Sequence, residues 1–154
     1  MKNMFTLILG TILSFSTIQA QDLPMVFELG TQEAAYEKLN EMYSQSLLEA
    51  SNGDIKLAFD NWLHMMGEME AYAKKIRFDI KGIKLWLHVF WNEDGRIAHI
   101  GYLLRPESRY IDAAEIGAFL KTFMDRYEFP QKSTQKFSHY TGASFPVYSE
   151  KAGE

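Results

Sequence analysis

The segment 85–104, LWLHVFWNEDGRIAHIGYLL, decides the predicted fold of this chain. Two apolar runs flank the polar residues 92–95, and this arrangement is typical of a β-hairpin. In the first run, both alternating sets of positions carry mainly apolar or aromatic side chains. We therefore expect a strand that is covered, at least in part, on both of its faces.

The turn of this hairpin sets the relative positions of its two histidines. Gly95 suits the left-handed position of a type I turn followed by a G1 bulge, which pairs Asn92 with Arg96. In that register His88 faces Ile100 and His99 faces Val89, so the two histidines point to opposite faces of the sheet and form no joint site. A plain four-residue loop would shift the register by one residue and place both on the same face. The glycine favours the bulged turn and the separated histidines.

Upstream of the hairpin, the apolar periodicity predicts two helices within residues 31–76. Thr31 is a candidate N-cap for the first helix. Its apolar stripe consists of Tyr36, Leu39, Tyr43, Leu47 and Ala50. The segment SNGD, residues 51–54, then breaks the helix and supplies Asp54 to cap the second one. The second helix has a stripe at Ile55, Phe59, Trp62, Met66, Met69, Ala73 and Ile76. Because the connection is short, we expect an antiparallel helical hairpin.

Downstream of the β-hairpin, the pattern predicts one more helix and one more strand. Asp112 caps the helix, and Glu115 three residues later completes a pair that resembles a capping box. Phe129-Pro130 ends this region, and a last strand follows near KFSHYTGASFPVY. The element order predicts an α+β fold, in which an N-terminal helical hairpin precedes a β-β-α-β unit with an antiparallel sheet.

Residues 83–149 resemble the C-terminal domain of the TonB family. The matching features are Val89 and Trp91, the turn 92–95, Ile97 and Ile100, the helix opened by Asp112, and Phe129-Pro130. The resemblance implies the fold of that domain. A predicted helical hairpin stands where a TonB protein has its membrane anchor and Pro-rich spacer. The energy-transducing role of TonB is therefore not implied.

The N-terminal segment MKNMFTLILGTILSFSTIQA has the three-part pattern of a secretory signal peptide. Lys2 is followed by an uncharged apolar run, and Ala20 provides the small residue for cleavage. The alternative is a retained membrane anchor, but the run is shorter than the roughly 20 residues that a spanning helix needs. We expect cleavage after Ala20, export to the periplasm or the medium, and a single domain over residues 21–154.

Composition limits the classes of partner. The chain contains 16 basic and 20 acidic residues and has a net charge of −4. An acidic chain without a basic cluster in its sequence argues against nucleic acid as a partner. Cysteine is absent, so the domain depends on its apolar core, and 47% of its residues are hydrophobic. We expect no stable membrane anchor after cleavage.

Two patterns on the second helix have metal-ligating residue types. Met66 and Met69 near His64 could bind Cu(I), but methionine at stripe positions is more often core packing. Asp60, His64 and Glu68, spaced by four, could hold a divalent ion, yet acid–histidine pairs at this spacing are ordinary surface features. We predict that Met66 packs in the core, and we assign no metal or cofactor.

Catalytic motifs are not recognisable in the sequence. No serine lies in a G-x-S-x-G elbow, and no glycine-rich phosphate loop is present. We assign no catalytic residue. A small hydrolase or a metal-dependent enzyme is the alternative from another functional class.

The aromatic residues supply the only candidate binding surface. It consists of Trp86, Phe90, Tyr102, Phe137 and Tyr140. These side chains could instead form the core of a domain without disulfides. The short last strand, with Pro146 near its end, could offer an edge to which a partner adds a strand.

The sequence therefore favours an exported, non-enzymatic binding or adaptor module of the cell envelope or extracellular space. Its expected partner is an envelope protein, bound by strand addition. A soluble carrier of an apolar ligand is a further alternative, with the ligand held between the helical hairpin and the sheet.

Overall fold

The structure, a computed structural model, describes residues 23–147. Its strands are β1 (Val26–Glu28), β2 (Gln45–Ser46), β3 (Lys84–Trp91), β4 (Ile97–Leu104) and β5 (Phe137–Ser144). Its helices are α1 (Glu33–Met42), α2 (Leu47–Ala50), α3 (Ile55–Ile76) and α4 (Ala113–Met124). The predicted signal peptide and its cleavage point lie outside the described residues.

The strands form one five-stranded sheet in the order β1-β4-β3-β5-β2. The central strand β3 runs antiparallel to both β4 and β5, whereas the two short outer strands run parallel to their neighbours. The fold is therefore α+β, as predicted. The prediction of a purely antiparallel sheet is wrong, because β1 and β2, which lie outside the predicted β-β-α-β unit, join the sheet as parallel strands.

One face of the sheet carries the larger core. Leu85, Leu87, Val89 and Trp91 of β3 point to this face and are at most 1% exposed. The buried sides of α3 and α4 belong to the same cluster. The alternation along β3 thus produces one fully covered face, which we call the core face.

Helix α1 lies on the opposite face of the sheet. Its residues Leu39 and Tyr36, with Tyr43 just beyond it, pack in a second cluster around Phe90 and Phe27. The predicted helical hairpin is therefore wrong. After Tyr43 the chain forms β2, which pairs with β5, and only then enters the short helix α2. The stripe predicted for a single first helix is therefore divided between the two faces of the sheet.

The second predicted helix forms as α3 over the span of the predicted stripe, but its buried side differs from that stripe. Trp62, Met66, Met69 and Ala73 are buried as expected. Ile55 and Phe59 are 74% and 58% exposed, because α1 is not beside them, and Ile76 at the end of the helix is 44% exposed. The side chains that replace them in the buried side of the helix are Ala58, Asn61 and Met65.

Two of the three predicted caps are present. The side chain of Asp54 accepts a hydrogen bond from the amide of Leu57, and that of Asp112 accepts one from Ala114. Thr31 does not cap α1. Its hydroxyl donates to the carbonyl oxygen of Glu28 instead, and the N-cap position is Gln32.

The β-hairpin has the predicted turn but a different register. Gly95 has a φ of +86°, and the amide of Asn92 donates to the carbonyl of Arg96. A second bulge at Ala98 then inserts one residue into β4, because Trp91 pairs with Ile97 and Phe90 pairs with His99.

This second bulge places His88 and His99 on the same face of the sheet. His88 pairs with Gly101, two residues beyond His99 on β4, so both side chains share the parity of that face. The prediction of opposite faces is wrong. The turn was predicted correctly. The bulge within β4 was missed, because no glycine marks its position in the sequence.

Candidate functional site

The five predicted aromatic residues separate into a buried group and a pair that reaches the surface. Phe90 and Phe137 are fully buried, and Tyr102 is 7% exposed and donates its hydroxyl proton to the carbonyl of Ala113. These three side chains are core residues and do not lie on a surface. Trp86 is half-buried and Tyr140 is 52% exposed, so the predicted surface reduces to this pair.

Trp86 and Tyr140 lie on the α1 side of the sheet, beyond the part that α1 covers. Their rings are stacked, with centroids 5.8 Å apart and planes inclined by 12°. The guanidinium carbon of Arg105 lies 5.1 Å from the Trp86 ring centroid, which is cation–π distance. Leu103 pairs with Trp86 across the strands and is 39% exposed. We call these four residues the aromatic platform.

Gly142 of β5 pairs with Trp86 and lies next to its indole ring. A Cβ atom at position 142 would lie 3.4 Å from the indole and 3.4 Å from Nη1 of Arg105. The platform therefore rests on bare backbone of β5. Sequence reasoning missed Arg105, Leu103 and Gly142, because only the strand pairing brings them to Trp86.

The Tyr36–His88 pair marks the border between the platform and the covered part of this face. The Tyr36 hydroxyl lies 2.7 Å from Nδ1 of His88, and the His88 ring is stacked on Phe90 at 4.1 Å. Burial, with a smaller contribution from nearby His139, lowers the pKa of His88 to about 4. Burial raises the pKa of Tyr36. Near neutral pH both groups are therefore uncharged, which suits a structural contact better than acid–base chemistry.

The two hairpin histidines have separate partners. His99 is hydrogen-bonded through Nδ1 to the carbonyl oxygen of Pro24 at 3.1 Å, whereas His88 is bonded to Tyr36. Although they share a face, each ring is committed to a different segment of the chain.

The outer edge of β5 is open over most of its length. Within residues 23–147, β2 pairs only with Phe137 and Ser138, and no described strand pairs with the outer edge beyond them. The amide of Phe145 donates inward to Ile83. Because amide directions alternate along a strand, those of Tyr140, Gly142 and Ser144 point outward. This is the kind of edge to which another strand can add.

The candidate metal residues of α3 are not assembled into a site. Met66 and Met69 are buried, which confirms the prediction that Met66 is a core residue. His64 lies 3.6 Å from Glu68 on the exposed side of the helix, and Asp60 pairs with Lys56. Across the described part of the chain, no group of three or more His, Asp or Glu side chains is placed to hold a metal ion.

None of the helices between residues 23 and 147 combines the length and hydropathy that crossing a bilayer requires. Compared with known proteins, the chain matches no family model, no curated protein and no solved structure.

Proposed function

We propose that this protein is a non-enzymatic binding module that captures an extended polypeptide segment by strand addition to β5. The segment would lie along the outer edge of β5 and place alternate side chains on the aromatic platform. Under this proposal the protein is an exported adaptor, and residues 83–149 have a fold like that of the TonB C-terminal domain.

The observation that carries the proposal is that the same β5 residues supply outward-pointing backbone amides at the open edge and side chains on the platform face. Tyr140, Gly142 and Ser144 direct their amides to the open edge. The same three positions direct their side chains, or the bare Cα of Gly142, to the platform face, since they pair with His88, Trp86 and Lys84. A strand added here gains backbone hydrogen bonds and side-chain contacts together, which is how strand-addition domains obtain affinity and specificity.

The chemistry of the platform indicates which segment would bind. Trp86, Tyr140 and Arg105 are of the residue types enriched at protein interfaces. Arg105 also forms an ion pair with Glu107, so its charge is already partly satisfied. We therefore expect a segment with apolar or aromatic side chains at alternating positions rather than an acidic one.

A peptide-display selection against the purified protein tests the proposal. We expect the selected peptides to show a two-residue apolar period, and backbone N-methylation at alternate positions to abolish their binding. Tyr140→Ser should weaken binding at least tenfold. Tyr110→Ser provides the matched control, because Tyr110 is 86% exposed and is not one of the four platform residues.

Hydrogen exchange followed residue by residue distinguishes strand addition from binding to the platform alone. Bound peptide should protect the amides of Tyr140, Gly142 and Ser144, whereas the inward amides of β5 are protected already. Binding without this alternating gain in protection would refute strand addition.

Export is tested separately by the intact mass of the protein recovered from the exported fraction. We expect a chain that begins at Gln21, because the uncharged segment ends in IQA. An exported chain that retains residues 1–20 would contradict the cleavage.

A further inference from the structure

A groove on the core side of the molecule lies apart from the aromatic platform. It is formed by the C-terminal part of α3, the connection 78–81 that follows it, and residues Phe145 and Pro146 after β5. Its volume is about 700 Å³, within the range of about 300–1,000 Å³ that small-molecule sites occupy. The groove is large enough to hold a ligand rather than only a few water molecules.

The floor of the groove is apolar and its upper parts are cationic. Ala73, Ile80 and Phe145 are buried at its base, and Phe78 is half-buried beside them. Three exposed lysines also line it, Lys74 and Lys75 from α3 and Lys81 from the connection. No ion pair involves any of these three lysines among residues 23–147.

The two acidic residues that line the groove are engaged elsewhere. Glu70 accepts a hydrogen bond from the amide of Val147, which fastens the chain after β5 to α3. Asp79 accepts from the amide of Lys81 and lies 3.6 Å from Arg109. Three lysines and two carboxylates line the groove, so its formal charge is positive, although the net charge of the whole chain is negative.

The walls of the groove are held in place without a ligand. Arg109 donates from Nε to the carbonyl of Lys81 and from Nη2 to that of Asp79, so it fixes the connection from outside. Phe78 is stacked on Phe119 of α4, with centroids 4.8 Å apart. A groove that is already formed loses little conformational freedom on binding, which favours affinity for a small ligand.

We propose that this groove binds an amphipathic carboxylate, with an unbranched acyl chain on the apolar floor and its carboxylate among Lys74, Lys75 and Lys81. The apolar floor favours burial of methylene groups, and the three lysine ammonium groups favour an anionic head. The inference is independent of strand addition at β5, since the two sites share no residue.

Titration of the full protein with dodecanoate, below the concentration at which it forms micelles, tests this inference. We expect saturable binding, with NMR shifts centred on Ala73, Phe78 and Ile80. Dodecanol has the same chain without the charge, and dodecyltrimethylammonium reverses the charge. Both should bind at least tenfold more weakly.

Variants separate the charge of the groove from its shape. The triple change Lys74→Gln, Lys75→Gln and Lys81→Gln should weaken dodecanoate binding at least tenfold, and arginine at the same three positions should preserve it. Glutamine at the exposed lysines Lys38, Lys121 and Lys132, which do not line the groove, is the matched control and should have no effect. Ala71→Trp, at an exposed lining position, should block the groove.

Any one of the following results would overturn the inference. Dodecanol could bind as well as dodecanoate, the shifts could map outside the groove, or dodecanoate could fail to bind up to millimolar concentration. Binding to vesicles that contain phosphatidylglycerol, without binding of monomeric dodecanoate, would likewise replace the small ligand with a membrane surface.

Discussion

The hydroxyl of Tyr36 and Nδ1 of His88 lie 2.7 Å apart and form the polar contact between α1 and the central strand of the sheet. His88 is 8% exposed and its ring is stacked on Phe90. This contact gives the buried imidazole of His88 a hydrogen-bond partner within a largely apolar cluster. It lies at the boundary between the part of the sheet that α1 covers and the aromatic platform.

His88 should make the stability of the protein depend on pH in the mildly acidic range. Its pKa of about 4 in the folded protein lies below the ordinary value of 6.5, so the unfolded chain binds the proton more readily. The resulting destabilisation is absent above pH 6.5, grows as the pH falls from 6.5 to 4, and is constant below that. By pH 5 we expect a loss of about 2 kcal/mol from this group.

Urea unfolding of the wild type and of His88→Leu at pH 7.5 and pH 5 measures this loss. The variant should lose less stability than the wild type over that interval, whatever its absolute stability at pH 7.5. His64→Gln is the control for the loss of a histidine, because that side chain is 59% exposed. Equal pH dependence in the wild type and His88→Leu would contradict the assignment.

Removal of the Tyr36 hydroxyl should destabilise the protein by about 1–2 kcal/mol. Tyr36→Phe retains the ring contacts with Phe27 and Phe90 but leaves a buried imidazole nitrogen without its partner. Chemical denaturation measures the change, and Tyr110→Phe at an exposed position should change nothing. A double-mutant cycle with His88→Leu should show that the two effects are coupled, and additive effects would mean that the hydrogen bond contributes little.

The two sides of α3 should respond differently to truncation. Trp62→Ala and Met66→Ala should each cost about 2–5 kcal/mol, because both side chains are buried in the larger core. Phe59→Ala, which the sequence pattern alone would place in the same stripe, should cost less than about 1 kcal/mol because it is largely exposed. Thermal unfolding of the three variants distinguishes the observed buried side from the predicted stripe. If Phe59→Ala proved as costly as Met66→Ala, the position of α1 would be wrong.

Replacing the C-cap residue that follows α3 should stabilise the protein. Arg77 has a φ of +59°, and the amides of Arg77 and Phe78 donate back to the carbonyls of Lys74 and Ala73. Glycine is the residue that this left-handed position favours, so Arg77→Gly should raise the free energy of unfolding by about 1 kcal/mol. Arg77→Ala removes the charge but keeps the Cβ atom, and it should give no such gain. A similar gain in both variants would show that charge, not backbone conformation, is responsible.

Features that depend on neighbouring residues in the chain were predictable from the sequence. Gly95 marks a turn with a left-handed residue, and Asp54 and Asp112 cap the helices that follow them. The α+β class and the extent of α3 follow from a change in apolar period. Such features need only local backbone chemistry, which a short segment carries within itself.

What only the tertiary structure decided is which face of the sheet each segment covers. An apolar stripe shows that a helix is buried on one side, but it contains no information about its partner, so α1 and α3 were predicted to pair although the sheet lies between them. The two-residue strand β2 separates them through hydrogen bonds to β5, which is distant in sequence. The bulge at Ala98 similarly reverses the expected relation of His88 and His99, because strand register depends on the packing of both faces together. The aromatic platform and the lysine-lined groove arise in the same way, since each consists of segments that only long-range pairing and packing bring into contact.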